Sequence, residues 1–373
     1  MTECEEYAPW NGAYRSAREW LATTGLNPHD WVKQVPIGGQ QPIALAPPIG
    51  LEQPLHWRLE QMGGVFGANN EQTVTIVPEG QVCGLYADIV TPDGKLILGY
   101  GRQTTDSGGL PESPWSSGRP PLQRTDDTVA VIADKTSGAY FHWLLDVLPR
   151  IHILRQCGIE PDRYVIYGKR NADFQYAALA ALGIPERKVV TSGPQLFMQA
   201  RRLVTPKLTR KLRPRWVYEF LRRDLMTARG IVPLPTKKRL YISRANTGKR
   251  RVLNEAELLP VLKRFGFDVV TPEHLPLDRQ IELFASAEVI AGPHGSGLTN
   301  MVFSPPGTTV VELFSPLFVH TFFPILSGAL GHRHYYEVGE GERPPAGVVP
   351  ANGRPDMTIS PKRLERLLRL AGL

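Results

Sequence analysis

Three groups of residues in this chain have the types and spacings that could do chemistry. In SGAYFHWLLDVLPRIHIL, His142, Asp146 and Arg150 stand at i, i+4 and i+8, along one face of a helix whose other side is Leu144, Leu145, Val147, Leu148 and Ile151. A histidine and a carboxylate on one rigid face can accept a proton from an attacking hydroxyl, work that contributes typically about 10²- to 10⁴-fold in rate. An ion pair of Asp146 with Arg150 on the helix surface, His142 beside it, is the alternative that the spacing leaves open. In EVIAGPHGSGLTNMVFSPPGTTVVEL an apolar strand runs into a turn with Gly292, Gly295 and Gly297, then a short helix, then a strand ending in Glu312. Glycines there let backbone N–H groups approach an anion, and the following helix N-terminus favours negative charge, so a phosphate would sit well. His294 and Ser296 are placed to hydrogen-bond it, and Glu312 could accept ribose hydroxyls; a tight turn needing glycine for its conformation alone is the alternative. Finally, the strand RLYISR delivers Arg244 to its carboxyl end, with Lys249, Arg250 and Arg251 behind it. Arginine binds diphosphate oxygens through a planar fork without a metal, and Arg244 is the first choice for that contact.

Better-known motifs do not fit this turn. The third glycine of G-x-G-x-x-G is replaced by Asn300, and no P-loop lysine follows. A G-x-S-x-G elbow is ruled out because His294 stands two before Ser296, which leaves a hydrolase using Ser296 without its elbow or a triad. Asn254 with Glu257 resembles a capping box, and Pro260 inside the same pattern predicts a first turn that is bent or separate.

The elements that must position these residues alternate from Val129 onward. VAVIAD, a helix from about Tyr140 to Cys157, RYVIYG, DFQYAALAAL and VVTS make one strand-helix series, followed by a helix in PRWVYEFLRRDLMTAR and the linker GIVPLPTKK. RLYISR, a helix to Phe265, FDVVTP, DRQIELFASA, EVIAG, a helix after Gly297 and TTVVEL make a second. Such alternation predicts α/β architecture with parallel sheets, and two Rossmann-like halves predict a ligand in the cleft between them. The first 130 residues read mostly as strands and loops: TVTIVPEG, a hairpin of QVCGLYADIV and KLILGYG about Pro92-Asp93-Gly94, and a Gly, Pro and Ser-rich loop over residues 103 to 125.

Composition sets the outer bounds. The 373 residues are 42% hydrophobic, 21% charged and 9% aromatic, which excludes disordered, collagen-like and coiled-coil classes. There is no apolar window of about 18 residues, and MTECEEYAPW lacks the basic and apolar parts of a signal peptide, so the expected location is cytoplasmic. Cys4, Cys83 and Cys157 are too few and too scattered for a disulfide framework or a paired metal motif. Residues 201 to 251 hold seventeen Lys and Arg against two acids, a net of +15, while the rest of the chain carries 26 basic and 34 acidic side chains, a net of −8. Such a segment predicts an anionic partner: a phosphorylated small molecule, an anionic membrane surface or nucleic acid. A non-catalytic nucleic-acid-binding protein is the rival from another class, supported by that segment alone, since Trp216, Tyr218 and Tyr241 are few aromatics for stacking.

Taken in order, SGAYFHWLLDVLPRIHIL, the SR and R-x-x-N-E of SRANTGKRRVLNE, and LPLDRQIELFASAEVIAGPHGSGLTNMVFSPPGTTVVEL resemble glycosyltransferase family 61 over roughly residues 75 to 320. The resemblance implies a GT-B-like fold of two facing Rossmann-like domains and an inverting, metal-independent enzyme, without cofactor, moving a sugar from a nucleotide-sugar to an acceptor hydroxyl in glycan or polysaccharide synthesis. UDP-sugar is the default donor. It matches Arg244, Arg251, Asn254, His294, Gly295, Ser296, Gly297 and Glu312 to the donor side, and His142 and Asp146 to the acceptor-side helix motif as catalytic residues. The domains implied are a strand-rich segment 1–128, an acceptor-side domain 129–230, a nucleotide-sugar-binding domain 231–340 and a C-terminal tail and helix 341–373. Eukaryotic relatives usually begin with a membrane anchor and carry lumenal disulfides; neither is read in this sequence, which points to a bacterial-type, cytoplasmic member. With the basic segment, this gives an expected glycan or lipid-linked acceptor and a peripheral contact with the inner face of an anionic membrane.

Overall fold

A computed structural model describes residues 8–35, 43–62, 64–66, 72–100, 109–115, 118–168, 173–208, 213–348, 350 and 355–373. The chain divides into two compact units, one of residues 1–40 and 69–220, the other of 41–68 and 221–373. Both are α/β, one on a mixed sheet and one on a parallel sheet.

The first unit is built on a nine-stranded sheet. Four strands are mutually parallel, in the spatial order Val189–Thr191, Arg163–Ile166, Gln123–Val131, Phe197–Lys207, and the last pairs antiparallel with the long strand Gln72–Cys83. Beyond that strand the expected hairpin forms: Asp88–Val90 pairs antiparallel with Leu96, and Gly94 takes the left-handed φ of 75° that the Pro92-Asp93-Gly94 turn requires. Of the early strands, Ala13–Tyr14, Val32–Val35 and those from Gln72 to Ile97 thus continue the same sheet, Ile43–Leu45 and Gly64–Phe66 pair with each other, and Ile49–Gly50 joins the sheet of the second unit, where the sequence suggested one strand-rich segment packed on the first domain. Of the loop expected over residues 103 to 125, only part is described; it carries no regular structure before Gln123, and 103–108 and 116–117 lie outside the described residues.

Between the parallel strands Gln123–Val131 and Arg163–Ile166 runs the helix that bears His142 and Asp146. It is α-helical over Tyr140–His142, π-helical over Trp143–Val147 and α-helical again over Leu148–Gln156, then stops at Gly158, φ 64°. Pro149 has no N–H to give to the carbonyl four residues back, and it sits where the wide turn passes back into α-helix. The helix is buried on nearly all sides, with Trp143, Leu144, Val147, Leu148, Ile151 and Ile153 inaccessible.

The second unit is a six-stranded, all-parallel sheet in the order Phe267–Val270, Lys238–Ile242, Ala287–Pro293, Thr309–Phe314, Arg333–Val338, Ile49–Gly50. The first strand of the main series lies between the second and the third, so the winding reverses between Lys238–Ile242 and Ala287–Pro293. Ligands in open parallel sheets bind beyond the carboxyl ends of the strands at such a reversal. Helices Glu255–Arg264 and Pro361–Leu370 cover one face, burying Leu258, Leu262, Leu364, Leu367 and Leu368 against Val289, Val311 and Tyr335. Pro260 does not separate a first turn from the rest: Glu255–Arg264 is one helix.

Among the described residues no helix is long and apolar enough to cross a membrane. Much of the basic segment is neutralised locally. Arg213 pairs with Asp146, Arg229 with Asp278, Lys238 with Asp268, Arg239 with Glu288 and Arg251 with Asp356. Five of the seventeen cations of this stretch thus meet acids from the remainder of the chain among the described residues.

Candidate functional site

The reversal point of the parallel sheet holds the first group of candidate residues. The Lys238–Ile242 strand ends two residues before Arg244, and Ala287–Pro293 ends one residue before His294. Ser296–Phe303 then forms a 3₁₀ helix, with Gly295 at its N-cap in extended backbone. The N–H groups of Ser296 and Gly297 open that helix, and the first N–H groups of a helix have no carbonyl of their own turn to bond. None of Gly292, Gly295 and Gly297 has a positive φ, so what they supply is closeness. A Cβ on Gly292 would stand 2.9 Å from the Ile242 carbonyl oxygen, and one on Gly297 3.0 Å from Ile242 Cγ2. A Cβ on Gly295 would stand 2.8 Å from Cζ of Arg244 and closer still to Nη1. The turn thus packs on the neighbouring strand, and the Arg244 guanidinium lies directly against Gly295.

Arg244 is half-buried and held by one hydrogen bond. Its Nη2 donates to the Lys249 carbonyl at 3.1 Å, while its buried Nε has no partner among the described residues. Burial pulls the guanidinium pKa down, with Glu273 and Asp356 acting against that shift, and an arginine stays charged regardless. The loop is set by Glu255, whose carboxylate accepts from Tyr241 Oη at 3.0 Å and from Ser243 Oγ at 2.8 Å. Ser243 Oγ in turn accepts the Ala245 N–H at 3.2 Å. Arg250, the one arginine of this loop in the left-handed region at φ 57°, lays its guanidinium 5.5 Å from the Phe318 ring centre.

His294 is 3% exposed and ringed by Phe314, Phe318, His320 and Phe323. Its Nδ1 meets Glu312 Oε1 at 2.5 Å; Glu312 Oε2 meets His334 Nε2 at 3.1 Å, and His334 Nδ1 meets Ser327 Oγ at 2.8 Å. Burial is the first cause that lowers the His294 pKa well below its ordinary value, joined by the positive charges of Arg250 and Arg244. Burial also raises that of Glu312 well above the carboxylate range, and His334 is pushed down to about 3.

Three donor-side assignments change at this point. Glu312 is fully buried with both oxygens held by histidines, so it has no oxygen to offer a ribose. Arg251 is turned away, forked onto Asp356 through Nε at 3.0 Å and Nη2 at 2.6 Å. Asn254 stands at the N-cap of Glu255–Arg264 without capping it. Its amide instead spans the backbone of Ile359, donating to the carbonyl at 2.9 Å and accepting the N–H at 3.0 Å, which pins the C-terminal segment. Arg244, His294, Gly295, Ser296 and Gly297 do come together.

In the first unit, Asp146 lies in the π-helical turn, fully buried. Its Oδ2 meets His142 Nδ1 at 2.6 Å, and its Oδ1 accepts from Arg213 Nε at 2.9 Å and Nη2 at 2.7 Å. Both oxygens are therefore taken. His142, its side chain a quarter exposed, makes no hydrogen bond through Nε2 among the described residues. Arg150 does not pair with the Asp146 carboxylate. It donates to the Asp146 carbonyl at 3.0 Å, to the Ala133 carbonyl at 2.9 Å and to Asp134 Oδ2 at 3.0 Å, and burial brings its pKa down to about 10. The surface ion pair that the spacing left open is replaced by a buried anchor to the end of the Gln123–Val131 strand.

Sequence reasoning missed Arg213, Glu255, His320 and His334, and left Arg250 undecided. The E of R-x-x-N-E was the only signal available for Glu255.

Comparison with known proteins names one class, the glycosyltransferases. Within it, residues 140–311 match the family model described as Glycosyltransferase 61. The match opens on the helix of His142 and Asp146, contains Arg244 and the His294–Gly297 turn, and ends one residue before Glu312. Alpha-1,3-arabinosyltransferase XAT2 of Oryza sativa is 35% identical over 96 residues, 25% of this chain and 16% of that protein. The EGF domain-specific O-linked N-acetylglucosamine transferase of Drosophila melanogaster is 36% identical over 78 residues, 20% and 15%. Protein O-linked-mannose beta-1,4-N-acetylglucosaminyltransferase 2 of Homo sapiens is 31% identical over 145 residues, 38% and 21%. The chain thus spans less than a quarter of the length of these relatives. They come from a plant and from animals, and they lend no support to a bacterial type.

Proposed function

We propose that the protein is an inverting glycosyltransferase that binds a nucleotide-sugar diphosphate on its second unit. The observation that carries this reading is the close packing of Arg244 on Gly295, at the mouth of a sheet whose winding reverses there. The guanidinium lies against Gly295, and the N–H groups of Ser296 and Gly297 open the helix that follows it, an arrangement suited to holding an anion before and during departure of the diphosphate. Fixed donors aimed at charge that grows in the transition state commonly contribute more to catalysis than any other single effect. No metal need enter this scheme, because arginine supplies the positive charge.

His142 takes the proton of the acceptor hydroxyl as that oxygen attacks the anomeric carbon. Asp146 fixes the ring through Nδ1 and is itself held by Arg213, the order of roles that the occupied carboxylate oxygens support. Attack in line with the departing diphosphate inverts the anomeric centre. The pentosyl- and hexosyltransferases among the relatives support a glycan acceptor in general.

The test is a transfer assay over a panel of nucleotide-sugars, with nucleoside diphosphate binding followed separately. Arg244→Ala should abolish transfer and weaken binding. His142→Ala should cut kcat at least a hundredfold and leave diphosphate affinity alone. Undiminished transfer by the Arg244 variant would end the proposal, and loss in Asp146→Asn with a fully active His142→Ala would exchange the two roles.

A further inference from the structure

Glu312 lies one residue beyond the stretch matched to the family, and its surroundings differ from those of the buried carboxylate of the first unit, Asp146. Asp146 has a guanidinium on one oxygen. Glu312 has only imidazoles: His294 on Oε1 and His334 on Oε2. Direct hydrogen bonds at 2.5 and 3.1 Å leave no room for a metal between the three groups. An ionised carboxylate that is fully buried and bonded by imidazoles alone is strongly disfavoured, burial outweighing the charge of Arg250, and so is an imidazolium that faces Arg244, Arg250, His320 and His334. The trio is most stable as three neutral groups that share a single carboxyl proton.

Counting donors and acceptors then allows two polarities. In one, Ser327 Oγ–H donates to His334 Nδ1, His334 Nε2–H to Glu312 Oε2, and Glu312 Oε1–H to His294 Nδ1, which leaves His294 Nε2–H as a donor at the far end. In the other every bond is reversed, Ser327 must give its proton to Met301 Sδ at 3.5 Å, and His294 Nε2 becomes an acceptor. A hydroxyl gains more from an imidazole nitrogen at 2.8 Å than from a thioether at 3.5 Å. The first polarity also leaves the ring a donor, and not a lone pair, at Nε2, the form that an anion beside Arg244 would accept.

We propose that Glu312 is a positioning residue that donates its carboxyl proton to His294 Nδ1, so that the chain from Ser327 through His334 fixes His294 as an Nε2–H donor to the diphosphate. This rests on the reading of the His294–Gly297 turn as the donor site. Its consequence for selectivity is direct: a site with a permanent neutral donor within reach of the charges of two arginines takes fully ionised phosphate oxygens and gives nothing to a cationic ligand.

The test uses the full chain labelled with ¹⁵N-histidine, with the His294 resonances identified by their loss in His294→Gln. Expected are the chemical shifts of a neutral Nε2–H ring from pH 5.5 to 8.5, unchanged in Glu312→Gln, whose amide N–H and carbonyl reproduce the same polarity, and scrambled in Glu312→Ala. Inorganic pyrophosphate, followed by calorimetry, should bind at least fivefold more weakly to Glu312→Ala than to Glu312→Gln. An imidazolium, or an Nδ1–H ring, in the unmodified protein at pH 7 would overturn the proposal, as would a Glu312→Gln spectrum as scrambled as that of Glu312→Ala. Should the alanine variant fail to fold, the spectra of the unmodified protein and Glu312→Gln decide alone. The expected spectra without any pyrophosphate binding would uphold the polarity and count against the donor-site reading itself.

Discussion

Gly295→Ala isolates the contact on which the donor site depends. The residue is in extended backbone, φ −178° and ψ 164°, which alanine adopts without strain, so the change acts through its methyl group alone. That methyl would stand 2.8 Å from Arg244 Cζ and nearer to Nη1, well inside van der Waals contact, and the guanidinium must move. Movement disturbs the fold little, because the end of a flexible side chain gives way and the one hydrogen bond lost, to the Lys249 carbonyl, contributes about 1 kcal/mol. The ligand loses more. A hydrogen bond from a charged donor contributes about 1.5 to 3 kcal/mol, and loss of one such contact weakens diphosphate affinity roughly ten- to a hundredfold. Calorimetric titration with UDP and with inorganic pyrophosphate measures that loss, and the melting temperature should stay close to that of the unmodified protein. In an Arg244→Ala background the glycine has nothing left to make room for, so adding Gly295→Ala should cost nearly nothing more. Unchanged affinity in Gly295→Ala, or a full additive loss in the double variant, would refute this account of the contact.

Acid should unfold the second unit early. His332 and His334 have pKa values of about 4 and about 3 in the folded state, both depressed first by burial, against an ordinary value of 6.5. The unfolded chain therefore binds their protons first, and the stability present above pH 6.5 is lost as the pH falls toward those values; at pH 5 these two together remove roughly 4 kcal/mol, with His294 acting in the same direction and Glu312, whose carboxyl burial holds protonated in the fold, acting against them. Denaturant titrations at pH 7.5 and 5.0 check this, and equal or greater stability at pH 5.0 would contradict it. Asn254→Ala strands the buried N–H and carbonyl of Ile359 and should destabilise the fold by about 1 to 3 kcal/mol while pyrophosphate affinity stays within twofold. A tenfold loss of affinity with an unchanged melting temperature would return Asn254 to the ligand.

Periodicity made the strands and helices of the second unit legible from Arg239 to Leu313, because a parallel strand buried on both faces is a short apolar run between breakers. The same rule hid Arg333–Val338: a strand written R-H-Y-Y-E-V buries His334 and Glu337, and a buried polar residue carries no apolar signal until its partners are known. The glycine turn was legible as a place of close approach, but sequence alone could not say that Gly295 meets Arg244 while Gly292 and Gly297 meet Ile242. Spacing put His142 and Asp146 on one helix face. It could not supply Arg213, 67 residues on, which takes the second carboxylate oxygen and thereby separates the two roles. Glu312, Arg251 and Asn254 show the opposite error. Each is polar, near the right strand end, and satisfied by this chain's own groups.

The edge strand Ile49–Gly50 pairs with Tyr335 and Tyr336, and the His56 N–H bonds the Tyr336 hydroxyl across 280 positions of sequence. A ribosome releases this early piece long before the sheet that receives it exists, so the parallel sheet can close only after the strand Arg333–Val338 has emerged. Anyone dividing the gene at residue 220 would produce a carboxy-terminal fragment with a bare border beside Arg333–Val338. A permuted gene that joins 41–68 directly to 221–373 would keep the piece that completes it.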